Sequence, residues 1–90
     1  MPTVKFTSNL KRFFPELSEI RSEELSISGI LDNIETRFPG FKDYIVDEHG
    51  SLRKHVNIFI GNDLIKDRVH LSDRINETDE LYIMQALSGG

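Results

Sequence analysis

The sequence predicts a single α+β domain in which one main helix packs against one face of a mixed sheet. Segments with alternating apolar residues, the pattern of half-buried strands, lie near both ends of the chain, and a segment with helical apolar spacing lies between them. Strands and helices that occur in separate runs are typical of α+β domains. With 90 residues, the chain can build one small core and has no room for a second.

The N-terminal part of the chain begins with a predicted strand over residues 3–7, whose apolar side chains alternate with Lys5. The apolar residues that follow have no clean period, and Pro15 interrupts any helix that would include them. We therefore predict a hairpin with a loop around Lys11–Glu16 and a returning strand near Leu17–Glu24.

The main helix is predicted from apolar residues spaced at i, i+3, i+4, i+7 and i+11, which form one stripe of an amphipathic helix. These residues are Ile27, Ile30, Leu31, Ile34 and Phe38. Ser26 occupies the N-cap position, where its hydroxyl can accept a hydrogen bond from a backbone N–H, and Pro39-Gly40 ends the helix. Phe41, Tyr44 and Ile45 then indicate a short helical turn against the core.

Two strong strands are predicted in the second half of the chain. The first is His55–Ile60, followed by the turn Gly61-Asn62-Asp63 and a short strand at Leu64-Ile65. Its side chains alternate, with Val56, Ile58 and Ile60 on one face of the sheet and His55, Asn57 and Phe59 on the other. The second is Glu80–Ala86, which follows a polar connection. Its alternation places Leu81 and Ile83 on the face opposite to Tyr82 and Met84.

Composition restricts the possible classes of function. With 11 basic and 15 acidic residues, the formal net charge is −4, which argues against a nucleic-acid-binding protein with a basic face. The absence of cysteine excludes disulfides, thiolate metal sites and a cysteine nucleophile. No leader sequence is evident, and no apolar run approaches the ~20 residues of a membrane span, so we expect a cytoplasmic protein without membrane contact. We also expect the free protein to be monomeric.

Candidate catalytic and metal-ligating residues are scarce. His49, His55 and His70 lack the close paired spacing of ligands on one helix or loop, so we predict no metal site. Ser88 has no visible base, and the turn at residues 61–63 lacks the lysine and hydroxyl residue of a phosphate-binding loop. The residues therefore do not predict an enzyme.

The pair Gly89-Gly90 is the most informative feature of the sequence. Glycine has no side chain and adopts backbone angles closed to other residues, so a Gly-Gly tail can enter a narrow active site of another protein. The alternative interpretation is a frayed terminus or an expression scar. We predict a folded domain over residues 1–86 and a flexible tail over residues 87–90.

Several segments, in order, carry a resemblance to a known family. They are Ser26–Leu31 and Arg37–Gly40 of the helix, the strand His55–Ile60, the turn Glu77–Leu81 and the terminal Gly89-Gly90. Together they resemble the ubiquitin-like sulfur-carrier family, which includes the small subunit of molybdopterin synthase, the thiamine-pathway sulfur carrier and a carrier paired with a cysteine synthase. The pairs Val56-Asn57 and Gly89-Gly90 are the strongest part of this resemblance. Thr78 is a departure, because the family usually has glycine before its Asp-Glu turn.

The resemblance implies a β-grasp (ubiquitin-like) fold and a protein co-substrate of other enzymes. An adenylating enzyme of the ubiquitin-activating type would use ATP to convert the Gly90 carboxylate to an acyl-adenylate. A persulfide or sulfide would then displace AMP and leave a Gly90 thiocarboxylate. The acceptor of this sulfur would be a cysteine synthase, the large subunit of molybdopterin synthase or an enzyme of the thiamine pathway. The resemblance implies no cofactor bound by the carrier itself.

Partner contacts are predicted for side chains on the sheet face without a helix and for the base of the tail. They are Phe59, Tyr82, Met84, Leu87 and Ser88. The alternative is that residues 8–24 or 41–47 fold over the first three. Asn57 is assigned a structural role as a hydrogen-bond partner of a neighbouring loop. Two other functions remain open: a protein modifier that forms isopeptide bonds through Gly90, and a non-catalytic interaction domain.

Overall fold

A mixed sheet with one main helix against its inner face forms the domain in a computed structural model that describes residues 1–85. The elements are β1 (Thr3–Phe6), α1 (Ser8–Lys11), β2 (Ile20–Arg21), α2 (Ile27–Arg37), α3 (Phe41–Ile45), β3 (Val56–Ile60), β4 (Asp63–Leu64) and β5 (Glu80–Gln85). Over these residues the strand order is β2-β1-β5-β3-β4. β5 pairs with β1 in parallel and with β3 in antiparallel orientation. The predicted α+β class and mixed sheet are therefore confirmed.

The apolar stripe of α2 faces the sheet, as predicted. Its members Ile27, Ile30, Leu31 and Ile34 are each 0% exposed, and they share one core with the inward side chains of the strands. Ser26 caps the helix, because its hydroxyl oxygen accepts a hydrogen bond from the Gly29 N–H at 3.1 Å. The helix ends at Arg37, and Phe38 packs partly buried against the core.

The segment between β1 and α2 differs from its prediction. The hairpin is present, since β2 pairs antiparallel with β1, but the strand is only two residues long instead of spanning Leu17–Glu24. The chain also leaves β1 through α1, a short helix that the sequence did not predict. Leu10 and Leu17 are both buried in the core. The apolar residues of this segment therefore fill the core from a helix and a loop, which explains why they show no strand period.

The connection between β4 and β5 is organised by two carboxylates. Asp67 accepts hydrogen bonds from the backbone N–H groups of Val69, His70 and Ser72 at 3.1, 2.8 and 3.4 Å, and from the Ser72 hydroxyl. Asp73 accepts from the N–H of Asp67 at 2.7 Å. The hydrogen bonds from His70 and Ser72 lower the pKa of Asp67 to about 2.

The same connection covers the N-terminus of α2. The N–H groups of Ile27 and Ser28 donate to the carbonyls of Asp73 and Leu71, both at 3.1 Å, so the loop pairs groups that the helix itself leaves unpaired. Leu71 is buried and has a φ of 55°, in the left-handed region that non-glycine residues rarely adopt. The docking of the loop on α2 therefore holds a strained backbone in place.

The turn before β5 is closed by Asp79. The carboxylate of Asp79 accepts a hydrogen bond from the Asn76 N–H at 2.8 Å, and the Asp79 N–H donates to the Asn76 carbonyl at 3.0 Å. Thr78 is not among the residues with positive φ. Threonine therefore fits this turn without a left-handed backbone. No helix within residues 1–85 is long and apolar enough to span a bilayer.

Replacing Ile34 with alanine should lower the free energy of unfolding by about 2–5 kcal/mol, because it opens a cavity in a fully buried stripe. Denaturant titration of Ile34→Ala beside Thr36→Ala, a change on the exposed face of the same helix, measures this difference. The control should stay within about 0.5 kcal/mol of the wild type. Equal stability of the two variants would contradict the packing of α2 on the sheet.

Acid should remove the stabilising contribution of Asp67. Its pKa is lowered from 3.8 to about 2, so the contribution is complete above pH 3.8 and is lost as the pH falls toward 2. The stability difference between the wild type and Asp67→Asn should therefore shrink over that interval in unfolding titrations. Glu77→Gln, which removes a charge without touching these hydrogen bonds, is the control. A difference that stays constant with pH would contradict the role of the ionised carboxylate.

Candidate functional site

The outer face of β5 carries the side chains that the sequence assigned to partner contact. Leu81 and Ile83 are buried beneath α2, whereas Tyr82 and Met84 are 38% and 37% exposed. Phe59 is half-buried on β3. Neither residues 8–24 nor residues 41–47 close over Tyr82 and Met84, so the predicted exposure of these two side chains is confirmed.

The strand register extends these side chains into a row across the sheet. Phe59 is the Cα partner of Tyr82 on β5 and of Leu64 on β4, and Tyr82 is in turn the partner of Lys5 on β1. Cross-strand partners have Cβ atoms only about 4.5–5.5 Å apart and lie on the same face. Met84 lies on this face one rung further along. We call Phe59, Leu64, Tyr82 and Met84 the sheet patch.

Leu64 is 53% exposed and was missed as a site residue in the sequence. The signal that could have found it is the turn between β3 and β4. Gly61 has a φ of 62° and Asn62 is not among the residues with positive φ, as expected for a two-residue type II′ hairpin turn. Such a turn pairs Ile60 with Asp63 and therefore Phe59 with Leu64.

One end of the sheet patch is charged. Lys5 Nζ lies 2.9 Å from a Glu80 carboxylate oxygen and 4.0 Å from one of Glu19, and the hydrogen bond to Glu80 raises the pKa of Lys5. An open hollow of about 480 Å³ lies here, between Lys5, Phe59, Tyr82 and the β3–β4 turn. The sheet patch is thus apolar in its centre, and at this end it is bordered by the ion pair of Lys5 and Glu80.

The opposite end of the face is the point where β5 ends. The Gln85 N–H donates to the Thr7 hydroxyl at 3.3 Å, and the Gln85 carbonyl accepts from Asn9 Nδ2 at 2.9 Å. The side-chain nitrogen of Gln85 lies 3.5 Å from His55 Nε2. Gln85, the last described residue, is therefore held by the segment after β1 on one side and lies against His55 on the other. The predicted site residues Leu87, Ser88, Gly89 and Gly90, and the predicted boundary at residue 86, lie outside the described residues.

Asn57 has the structural role that the sequence indicated. Its side-chain oxygen accepts a hydrogen bond from Arg68 at 3.0 Å. The same guanidinium donates to the carbonyls of Arg53 and Val56 at 2.8 and 3.0 Å. Asn57 thereby helps to fix the loop that carries Asp67 against the beginning of β3. Within residues 1–85, no group of three or more potential metal ligands comes together.

Comparisons with solved structures identify the fold. The chain is similar to CysO in the crystal structure of the Amycolatopsis orientalis BexX/CysO complex, with a TM-score of 0.84, 22% identity and 100% of both chains covered. Mycobacterium tuberculosis CysO has a TM-score of 0.82 at 18% identity, with 97% of this chain and 100% of that chain covered. The small archaeal modifier protein 1 of Methanosarcina acetivorans has a TM-score of 0.75 at 24% identity, with 99% and 95% covered. These likenesses confirm the β-grasp, ubiquitin-like fold.

Sequence comparison assigns the family. No curated protein matches the chain significantly. The chain does match the ThiS family over residues 4–90, a span that begins at the second residue of β1 and includes every later element of the fold and the Gly89-Gly90 pair. Because this match covers nearly the whole sequence, the chain belongs to the ThiS family, in agreement with the predicted membership of the ubiquitin-like sulfur carriers.

Proposed function

We propose that this protein is a sulfur carrier whose Gly90 carboxylate is converted to a thiocarboxylate. The observation that supports this proposal is the ThiS family match over residues 4–90, which includes the Gly89-Gly90 pair. The described residues supply two further features that a carrier needs. These are an exposed apolar face for a partner and a hydrogen-bonded end of β5 at Gln85, five residues before Gly90 in the sequence.

The chemistry follows from the poor reactivity of a carboxylate. Its negative charge repels nucleophiles, so one of its oxygens must first become part of a better leaving group. An adenylating enzyme would transfer AMP from ATP to the Gly90 carboxylate and release pyrophosphate. Hydrosulfide would then attack the carbonyl carbon, AMP would leave with the electron pair of the broken C–O bond, and a thiocarboxylate would result. ATP is thus a substrate of the activating enzyme.

In this function the domain is a co-substrate of other enzymes and performs no bond-breaking step itself. Its contribution is to be recognised and to deliver Gly90. The sheet patch is suited to recognition, because exposed aromatic and methionine side chains are typical of protein interfaces. A similar CysO was crystallised in a complex with BexX, which supports a partner enzyme for this chain as well. We propose that the adenylating enzyme and a sulfur-acceptor enzyme, such as a cysteine synthase or the molybdopterin-synthase large subunit, contact this patch in turn.

A second function is favoured by the similarity to the small archaeal modifier protein 1. A modifier would share the adenylation step, but a lysine amine of a target protein would displace the activating group. The product would be an isopeptide bond through Gly90 instead of a thiocarboxylate. The two functions therefore differ in the nucleophile that reaches the activated carbon.

Removing Gly90 should abolish activation and leave the fold intact, because the reactive atom is the terminal carboxyl carbon. ATP–pyrophosphate exchange by the adenylating enzyme of the source cell measures activation, and thermal melting measures the fold. A variant with one residue added after Gly90 should be equally inactive. Unchanged exchange with either variant would contradict the proposal.

Intact-mass spectrometry of protein recovered from its native cell separates the two functions. A mass gain equal to the replacement of one oxygen by sulfur, confined to a C-terminal peptide, supports the carrier. Covalent adducts that join Gly90 to lysines of other proteins support the modifier. Activation without either product would contradict both.

Replacing Met84 with lysine should weaken partner binding and leave stability nearly unchanged. In the free protein the new ammonium group reaches water, so the free energy of unfolding should change by no more than about 0.5 kcal/mol. Within an interface it would lose its hydration without a partner, so affinity for the adenylating enzyme should fall roughly tenfold or more. Binding titrations and thermal melting measure these two effects.

Leu25→Lys is the matched control, because Leu25 is an apolar residue with nearly the same exposure, 39%, but lies just before α2, the helix on the inner face of the sheet. It should bind the enzyme as tightly as the wild type. A large loss of stability in Met84→Lys would mean that Met84 belongs to the core. Equal affinity of Met84→Lys and Leu25→Lys would mean that the sheet patch is not the docking surface.

A further inference from the structure

On the side of β1, the last rung of β5 is formed with side chains instead of a strand, while on its other side Gln85 is the Cα partner of Val56 on β3. Gln85 is hydrogen-bonded through its N–H to the Thr7 hydroxyl and through its carbonyl to the Asn9 side-chain amide. The two partners lie 78 and 76 residues away in the sequence. Both come from the segment that leaves β1 and enters α1.

The parallel ladder between β1 and β5 explains why side chains are needed here. The Thr3 N–H donates to the Asp79 carbonyl and the Thr7 N–H to the Ile83 carbonyl, both at 3.1 Å. Continued by one rung, this pattern would pair the Gln85 N–H with the carbonyl of residue 7 and the Gln85 carbonyl with the N–H of residue 9. Neither backbone group is in position, because β1 ends at Phe6 and α1 begins at Ser8.

The side chains of the same two residues supply the missing groups. The Thr7 carbonyl is bonded to the Leu10 N–H at 3.2 Å, and the Thr7 hydroxyl accepts the Gln85 N–H in its place. The side-chain amide nitrogen of Asn9, in turn, donates to the Gln85 carbonyl in place of the Asn9 backbone N–H. Leu10 is fully buried, which anchors α1 to the core. The rung at Gln85 is therefore held by a segment that is anchored in the core.

We propose that Thr7 and Asn9 are positioning residues that fix the start of the C-terminal segment for delivery of Gly90. The proposal rests on the proposed function. Five residues follow Gln85, and five residues reach at most about 17 Å when fully extended. An enzyme that binds the sheet patch and the Gly90 carboxylate together therefore requires a defined origin for this segment. Without the two hydrogen bonds at Gln85, the last hydrogen-bonded residue of β5 is Met84. The segment between the domain and Gly90 is then one residue longer, and the enzyme must bind one of a larger number of conformations.

The first test needs no partner. Hydrogen exchange of the Gln85 amide, followed by NMR in the free protein, should be accelerated roughly tenfold in Thr7→Val, which keeps the shape of the side chain and removes the acceptor. Thr7→Ser retains the hydroxyl and should exchange like the wild type. Amides of Ile58 and Ile83 should be unaffected in both. Equal Gln85 exchange in Thr7→Val and the wild type would overturn the proposed rung.

The second test measures delivery. In ATP–pyrophosphate exchange by the adenylating enzyme of the source cell, Thr7→Val, Asn9→Ala and Asn9→Asp should each lower kcat/KM roughly threefold to tenfold, the effect of losing one hydrogen bond. The loss should appear mainly in kcat, since the sheet patch that sets binding is untouched. Thr7→Ser should retain wild-type kcat. Thr36→Val, which removes a threonine hydroxyl bonded to a helix carbonyl, is the control for a general effect of hydroxyl loss.

The outcomes separate this inference from the function on which it rests. If the wild type is not activated, the proposed function fails. If the wild type is activated and the three variants match it, only the positioning role is overturned. A loss that appears equally in Thr36→Val, or one that follows the melting temperatures of the variants, would also overturn the positioning role, because it would reflect stability alone. A kcat loss in both the Thr7 and Asn9 variants at unchanged melting temperature would support it.

Discussion

The structure depends on the pairing of β5 with strands on both of its sides. β5 is parallel to β1 and antiparallel to β3, so within residues 1–85 the two halves of the sheet are joined only through it. This position fixes the direction of every side chain along the strand. Leu81 and Ile83 must enter the core beneath α2, and Tyr82 and Met84 must then face outward. The core and the sheet patch are thus two consequences of one register.

The elements that were predicted correctly are those whose signal is local. The apolar spacing of α2 and the alternation in β3 and β5 are contained within each segment, so neither needs knowledge of the rest of the chain. Residues 8–24 were harder, because Leu10 and Leu17 contribute to the core from a short helix and a loop. The shape of the folded core decides where such residues are buried, so their spacing in the sequence shows neither a helical nor a strand period.

The residues of the candidate site also divide into those with a local sequence signal and those whose role depends on the folded sheet. Tyr82 and Met84 follow from strand alternation, and Gly89-Gly90 from the sequence and the family match. Leu64 depends on the register of the two-residue turn Gly61-Asn62, whereas the sequence predicted a turn that extends to Asp63 and a strand at Leu64-Ile65. The rung between Thr7, Asn9 and Gln85 could not be predicted, because it joins residues 76 and 78 positions apart through a ladder that exists only in the folded sheet.

The central position of β5 also governs when the domain can fold during synthesis. β5 is the last of the described strands in chain order, yet β1 and β3 each require it as a neighbour. A nascent chain that stops before residue 80 has two separated strand pairs and an uncovered helix stripe, and closing such distant contacts is the slow step in folding of this kind of sheet. Folding is therefore completed only after the ribosome has made β5, close to the Gly-Gly pair. The topology thus restricts the folded state, and any recognition of its surface, to chains whose synthesis has nearly reached the Gly89-Gly90 pair.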